Sequence, residues 1–294
     1  MLREILRGTG VALVTPFKED KSVDFDALQT LINFIIEGGV QYVVTLGTTG
    51  ETPTLSREEK IEIINATFAA VAARVPVIVG IGGNNTSSVI KDIETFPIEK
   101  ATAILSASPY YNKPSQEGIF QHYKAIALAT TKPIILYNVP GRTGNNISAA
   151  TTVRLANELS TIAGMKEASG NMAQCMQILR DKPEEFMVVS GDDNLALAQI
   201  ACGMDGVISV AANCFPKDFS IMVKAALDND YKVARIYNNQ LLLGYDLLFA
   251  ENNPAGVKAV LSELGIIKNQ LRLPLVPLSS SIHQQIKDYL PSLK

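Results

Sequence analysis

Eight short runs rich in β-branched and other apolar residues recur along this chain, separated by helical patterns. They are GTGVALVTPF, QYVVTLG, VPVIVGIG, ATAILSAS, KPIILYNVP, TIAGMKEAS, FMVVSGD and MDGVISVAA. Strands that are apolar almost throughout, alternating with helices, indicate a parallel sheet buried on both faces. The stretch after LSREE is the clearest helix, with Ile61, Ile64, Phe68 and Val71 at helical spacing. Ser56 and Glu59 stand at its start as a capping box. Further helices are expected after Phe25, Thr86, Ser115, Ser148, Met172 and Asn194. Eight strand–helix units between about residue 8 and about residue 225 suit a (β/α)8 TIM barrel, whose usual length is about 250 residues. The competitor is a doubly wound open sheet, which would place one site at a switch point; eight units favour the barrel.

From Phe215 onward strands cease and the pattern turns helical. The expected division is a catalytic barrel over residues 1–224 and a C-terminal helical domain over 225–294, with LRLPLVPLSSS as a proline-broken connector and its serines a linker. The formal charge of -3 is spread without a basic run, so neither nucleic acid nor a membrane surface is expected as partner. No apolar stretch reaches spanning length and the start lacks a signal-peptide layout. Three cysteines, without a CxxC, read as reduced thiols of a cytoplasmic protein.

In a parallel barrel the chemistry comes from the C-terminal ends of the strands, and this chain is polar there. The second strand ends in LGTTGE, where Gly47 and Gly50 flank Thr48 and Thr49. Such a turn lets backbone N–H groups approach a carboxylate or phosphate, or is an ordinary glycine-rich turn; without a following GK[ST] it is no P-loop. The fourth ends in SASPYYNKPSQEG, with Tyr110 and Tyr111 functional or merely packed. On the fifth, Tyr137 alternates with Ile135 and Val139, but on a strand apolar on both faces parity does not say which side is the interior. Arg142 follows, either a surface arginine or a bidentate partner for a carboxylate.

The sixth strand holds Lys166, although lysine is among the residues least often buried. It is an edge residue, a partner of Glu167 or Asp192, or an amine that burial frees to attack carbonyls. Four strand ends offering a carboxylate site, a phenol, an arginine and an amine make a constellation. His122 and His283 lie away from strand ends and read as packing or surface residues, so a histidine-bound metal is not expected. Asp192 and Asp193 are expected to cap the next helix rather than hold a cation.

With GTTGE, SPYYNKPSQEG, YNVPGRTG and GMKEASGN in this order and spacing, the chain resembles the dihydrodipicolinate synthase / N-acetylneuraminate lyase family, from GTGVALVTPF to NPAGVKAVL. The resemblance implies (β/α)8 subunits with a C-terminal helical domain, usually assembled as tetramers, and no metal or organic cofactor. It implies that Lys166 forms a Schiff base with pyruvate and that Tyr137 is the general acid/base. Thr48 and Tyr111 would complete a proton relay, Tyr111 reaching into a neighbouring subunit's site. Thr49 would hold the pyruvate carboxylate, and Gly191 and the backbone carbonyl of Ile208 would line the site. Arg142 would bind the carboxylate of aspartate semialdehyde; sialic- and sugar-acid lyases of the family, the alternative function, generally lack that arginine. Members inhibited by lysine bind it at a subunit interface. There this chain keeps Asn84 and Tyr110 but has Ser88 for the amine-binding acid and Arg57 and Lys60 for histidines, which implies weak inhibition unless Glu51 or Glu59 substitutes.

Overall fold

A computed structural model describes residues 2–293, and all eight runs close into one barrel in chain order. The strands are β1 (Gly8–Ala12), β2 (Tyr42–Thr45), β3 (Val77–Gly80), β4 (Ala103–Ala107), β5 (Ile134–Asn138), β6 (Ile162–Glu167), β7 (Met187–Ser190) and β8 (Gly206–Ser209). Every neighbouring pair is parallel, and β1 closes on β8 from Gly8↔Gly206 to Val11↔Ser209. Closure leaves no sheet edge, which removes the open-sheet alternative.

Alternation along the strands feeds two cores. Val11, Val43, Ile104, Leu136, Met165 and Val207 point outward against the helices. Val44, Ile78, Leu105, Ile135, Val189 and Ile208 fill the barrel, and Tyr137 lies with them. At the N-terminal end of the barrel, Tyr42 crosses the interior over Gly10. A Cβ at Gly10 would lie 2.1 Å from its ring, so only glycine leaves room for this plug.

Helix Arg57–Val71 starts with the expected capping box between Ser56 and Glu59. Its buried face is Ile63, Ile64, Thr67 and Val71, while Ile61 and Phe68 are only half-buried. Thr67 draws the face round by bonding its hydroxyl to that of Thr45 at 3.2 Å. The eighth barrel helix, Pro216–Leu227, runs across the expected 224/225 boundary, and the next helix begins at Tyr231. Two more follow, Ala255–Glu263 and Ser280–Tyr289. The serines before the last are not a linker: Ser279 caps the helix by accepting the Ile282 N–H, and Ser280 and Ser281 form its first turn. No helix among the described residues is long and apolar enough to cross a membrane.

Buried charge ties the helical extension to the barrel mouth. Lys258 Nζ is 2.5 Å from Glu51 Oε1, and neither side chain is exposed. The amine also donates to the Gln270 carbonyl at 2.8 Å and lies 4.0 Å from the centre of the Phe17 ring. Burial, only partly offset by Glu51, lowers the Lys258 ammonium to about 8. Arg272 pairs with Glu59 at 2.5 Å and gives its backbone N–H to Glu51 at 3.1 Å. Pairs of this kind add little net stability but set geometry strictly, because either charge left alone is costly.

Candidate active site

Strands β5 and β6 pair Tyr137 with Lys166 and, one residue on, Asn138 with Glu167. Period-two alternation then separates the pairs. Lys166, 3% exposed, lies inside with its Nζ 4.5 Å from the centre of the Tyr137 ring. Glu167 lies on the other face, accepting from Asn138 and Gln174, each at 3.0 Å, and from the Ser169 N–H at 2.7 Å. Glu167 is therefore no partner for the lysine, and the buried amine stays turned toward the mouth.

A cavity of about 90 Å³ sits over Lys166, lined also by Thr48, Thr49, Tyr137, Arg142 and Gly191. That is well above the space one water needs and is on the scale of a small keto acid. Gly191 is needed there because a Cβ would come within 2.9 Å of Lys166 Cε and 2.5 Å of Ala168 Cβ. The Thr48–Gly50 turn is a single 3₁₀ turn closed by Gly50 N–H to Gly47 O at 3.0 Å. Arg142 stands on the short helix Pro140–Thr143, its guanidinium 3.4 Å from the Asn253 carbonyl. A wider cleft that also includes Tyr137 and Arg142 runs outward past Lys60 and Tyr110.

Two residues fall outside this cluster. The Ile208 side chain packs fully buried within the barrel, and Val210, two residues on, lines the cavity. Tyr111 is 89% exposed and does not line its own chain's cavity. The aspartates do not cap the following helix. Asp193 holds the end of β8 by accepting the N–H groups of Val210 at 3.1 Å and Ala211 at 2.8 Å. Asp192 accepts the Gly170 N–H at 3.2 Å and lines the cavity, where burial raises its carboxyl to about 6. Their partners are backbone groups from other loops, which an acidic pair before a helix does not announce.

His122 packs against Thr86 at 2.9 Å, and His283 lies 2.8 Å from Glu263. Among the described residues no His, Cys, Asp or Glu cluster suits a metal ion. Cys175, Cys202 and Cys214 are all free. Sequence reading also missed Phe249 and Asn253, which reach the cavity from the extension; the only local signal, Asn253 before Pro254, reads as a turn.

A buried amine beside a phenol, with a threonine turn and an arginine at the mouth of a (β/α)8 barrel, defines a barrel enzyme equipped for carbonyl chemistry on a small acid. Comparison narrows that class. The sequence model of the Dihydrodipicolinate synthetase family matches residues 5–293, and the chain belongs to that family. It is 51% identical over 288 residues to a 4-hydroxy-tetrahydrodipicolinate synthase of Parabacteroides distasonis, covering 98% of this chain and 97% of the relative. A synthase of that name from Koribacter versatilis is 50% identical, with 93% and 91% covered. Among solved structures, the dihydrodipicolinate synthase of Acinetobacter baumannii complexed with pyruvate superposes with a TM-score of 0.95 at 41% identity, covering 98% and 99%. That of Thermotoga maritima gives 0.96 at 37%, again covering 98% and 99%.

Proposed function

We propose that this protein condenses pyruvate with L-aspartate 4-semialdehyde to 4-hydroxy-tetrahydrodipicolinate, on the diaminopimelate route to lysine, through an imine on Lys166. The observation that carries this reading is one small cavity lined both by a buried lysine for a ketone and by an arginine for a second carboxylate. Thr49 and the N–H groups of its turn hold the pyruvate carboxylate. Lys166 Nζ adds to the keto carbon, water leaves with a proton moved by Tyr137, and the protonated imine becomes an electron sink. Loss of a methyl proton gives the enamine, whose carbon attacks the aldehyde of the second substrate. The amine of that substrate then closes the ring on the imine carbon and displaces Lys166. Gly191 leaves room for the lysine stem, and the backbone carbonyl of Ile208 faces the site.

Thr48 relays protons with Tyr111, and the exposure of Tyr111 suits a side chain that completes the site of a second copy. The working form would be a cytoplasmic homo-oligomer, a tetramer by likeness to the family.

Arg142→Ala should weaken use of aspartate semialdehyde about ten- to a hundredfold, the loss of one charge-assisted contact, while borohydride trapping of pyruvate persists. Unchanged kinetics would defeat the assignment, and preferential cleavage of N-acetylneuraminate by the unaltered protein would favour the sugar-acid alternative. Inhibition by L-lysine should be weak. Glu51 and Glu59 are both engaged with the extension, Arg57 is paired with Asp92, and Ser88 offers no charge. Titrating L-lysine at fixed pyruvate checks this, and strong inhibition below millimolar would overturn it.

A further inference from the structure

The helical extension grips the Thr48–Gly50 turn from two sides. Lys258 holds Glu51 at 2.5 Å, and Asn253, 5% exposed in the turn before helix Ala255–Glu263, donates its Nδ2 to Thr49 Oγ1 at 3.0 Å. A hydroxyl has one proton and two lone pairs. With Asn253 occupying a lone pair, the Thr49 proton is directed elsewhere, and no group among the described residues accepts it from Thr49. Thr49 lines the cavity, so that proton is available to an acceptor bound there. Asn253 Oδ1 is buried without a protein partner, so the bond to Thr49 is the one side-chain hydrogen bond this amide makes among the described residues. We infer that Asn253 is a positioning residue for the keto acid: it commits the Thr49 hydroxyl to the cavity as a donor to the substrate carboxylate.

The inference rests on the pyruvate reading above, and its test separates the two. The full-length protein is incubated with graded pyruvate and reduced with borohydride, and the label on Lys166 is followed beside the steady-state rates. Asn253→Ala should raise the half-saturating pyruvate about tenfold, the worth of a hydrogen bond to a charged group, with full trapping at saturation. In a Thr49→Val background the same change should shift half-saturation by less than about twofold, because coupled residues are not additive. Asn253→Asp keeps the shape but can only accept when ionised, turning the Thr49 proton away, so half-saturation should rise at least as far. Equal shifts in both backgrounds, or an unchanged half-saturation in the Ala and Asp variants, would overturn the inference alone. No trapping by the unaltered protein would overturn the pyruvate reading and the inference with it.

Discussion

Lys166→Ala is expected to gain no mass when incubated with pyruvate and borohydride, whereas the unaltered chain gains one reduced pyruvyl group. Condensation should fall roughly a thousandfold or more, the scale seen when a covalent nucleophile is removed. Lys166 is 3% exposed and touches the Tyr137 ring, so its loss removes a cation–π contact of about 0.5–2 kcal/mol, the packing of its stem, and a charge that favours the ionised forms of Asp192 and Asp193. A cooperative thermal melt well above the assay temperature would confirm that chemistry, not folding, was lost. Equal labelling of the variant would move the imine to another lysine. Lys258 is the other buried amine, but it is bound to Glu51 and fully covered, so Lys166 alone meets a cavity among these two.

The largest effect on stability should come from that second amine. Lys258→Met keeps the volume of the side chain and leaves the Glu51 carboxylate buried without its ammonium. Breaking a buried pair in this way costs about 3–5 kcal/mol, read as a lower urea midpoint at pH 7. Adding Glu51→Gln should restore most of the loss, because a neutral pair of similar size removes the uncompensated charge. The double variant should still bind pyruvate less well than the unaltered protein, since Glu51 follows the Thr48–Gly50 turn directly. If the single variant unfolds at the same midpoint, the Lys258–Glu51 pair contributes nothing to holding the extension, which then rests on its other contacts with the barrel.

The eight strands could be read from the sequence because a strand covered on both faces must be apolar along its length, and shortness, β-branched residues and flanking turn residues separate such runs from buried helix. The capping box of Ser56 and Glu59 was legible for a second reason: its bonds join residues three apart, so the local order contains the whole motif. Lys166, Tyr137, Arg142, Thr48 and Thr49 could be singled out because a parallel barrel gathers whatever stands at its strand ends, Gly191 only through the family resemblance, and all six line one cavity.

Tertiary structure decided what local order leaves symmetric. Whether Tyr137 or Asn138 faces the interior has no marker on a strand buried throughout; barrel closure chose, and the same choice turned Glu167 away from Lys166. Asp193 before a helix reads as a cap, yet its carboxylate holds β8, because the N–H groups of Val210 and Ala211 reach it only when the last two strands are in place. Asn253 and Thr49 are 204 residues apart and meet because the extension folds back over the mouth. Periodicity and capping depend on neighbours along the chain. The partners of a buried polar atom depend on which distant groups can no longer reach water, and only the closed barrel with its extension determines that.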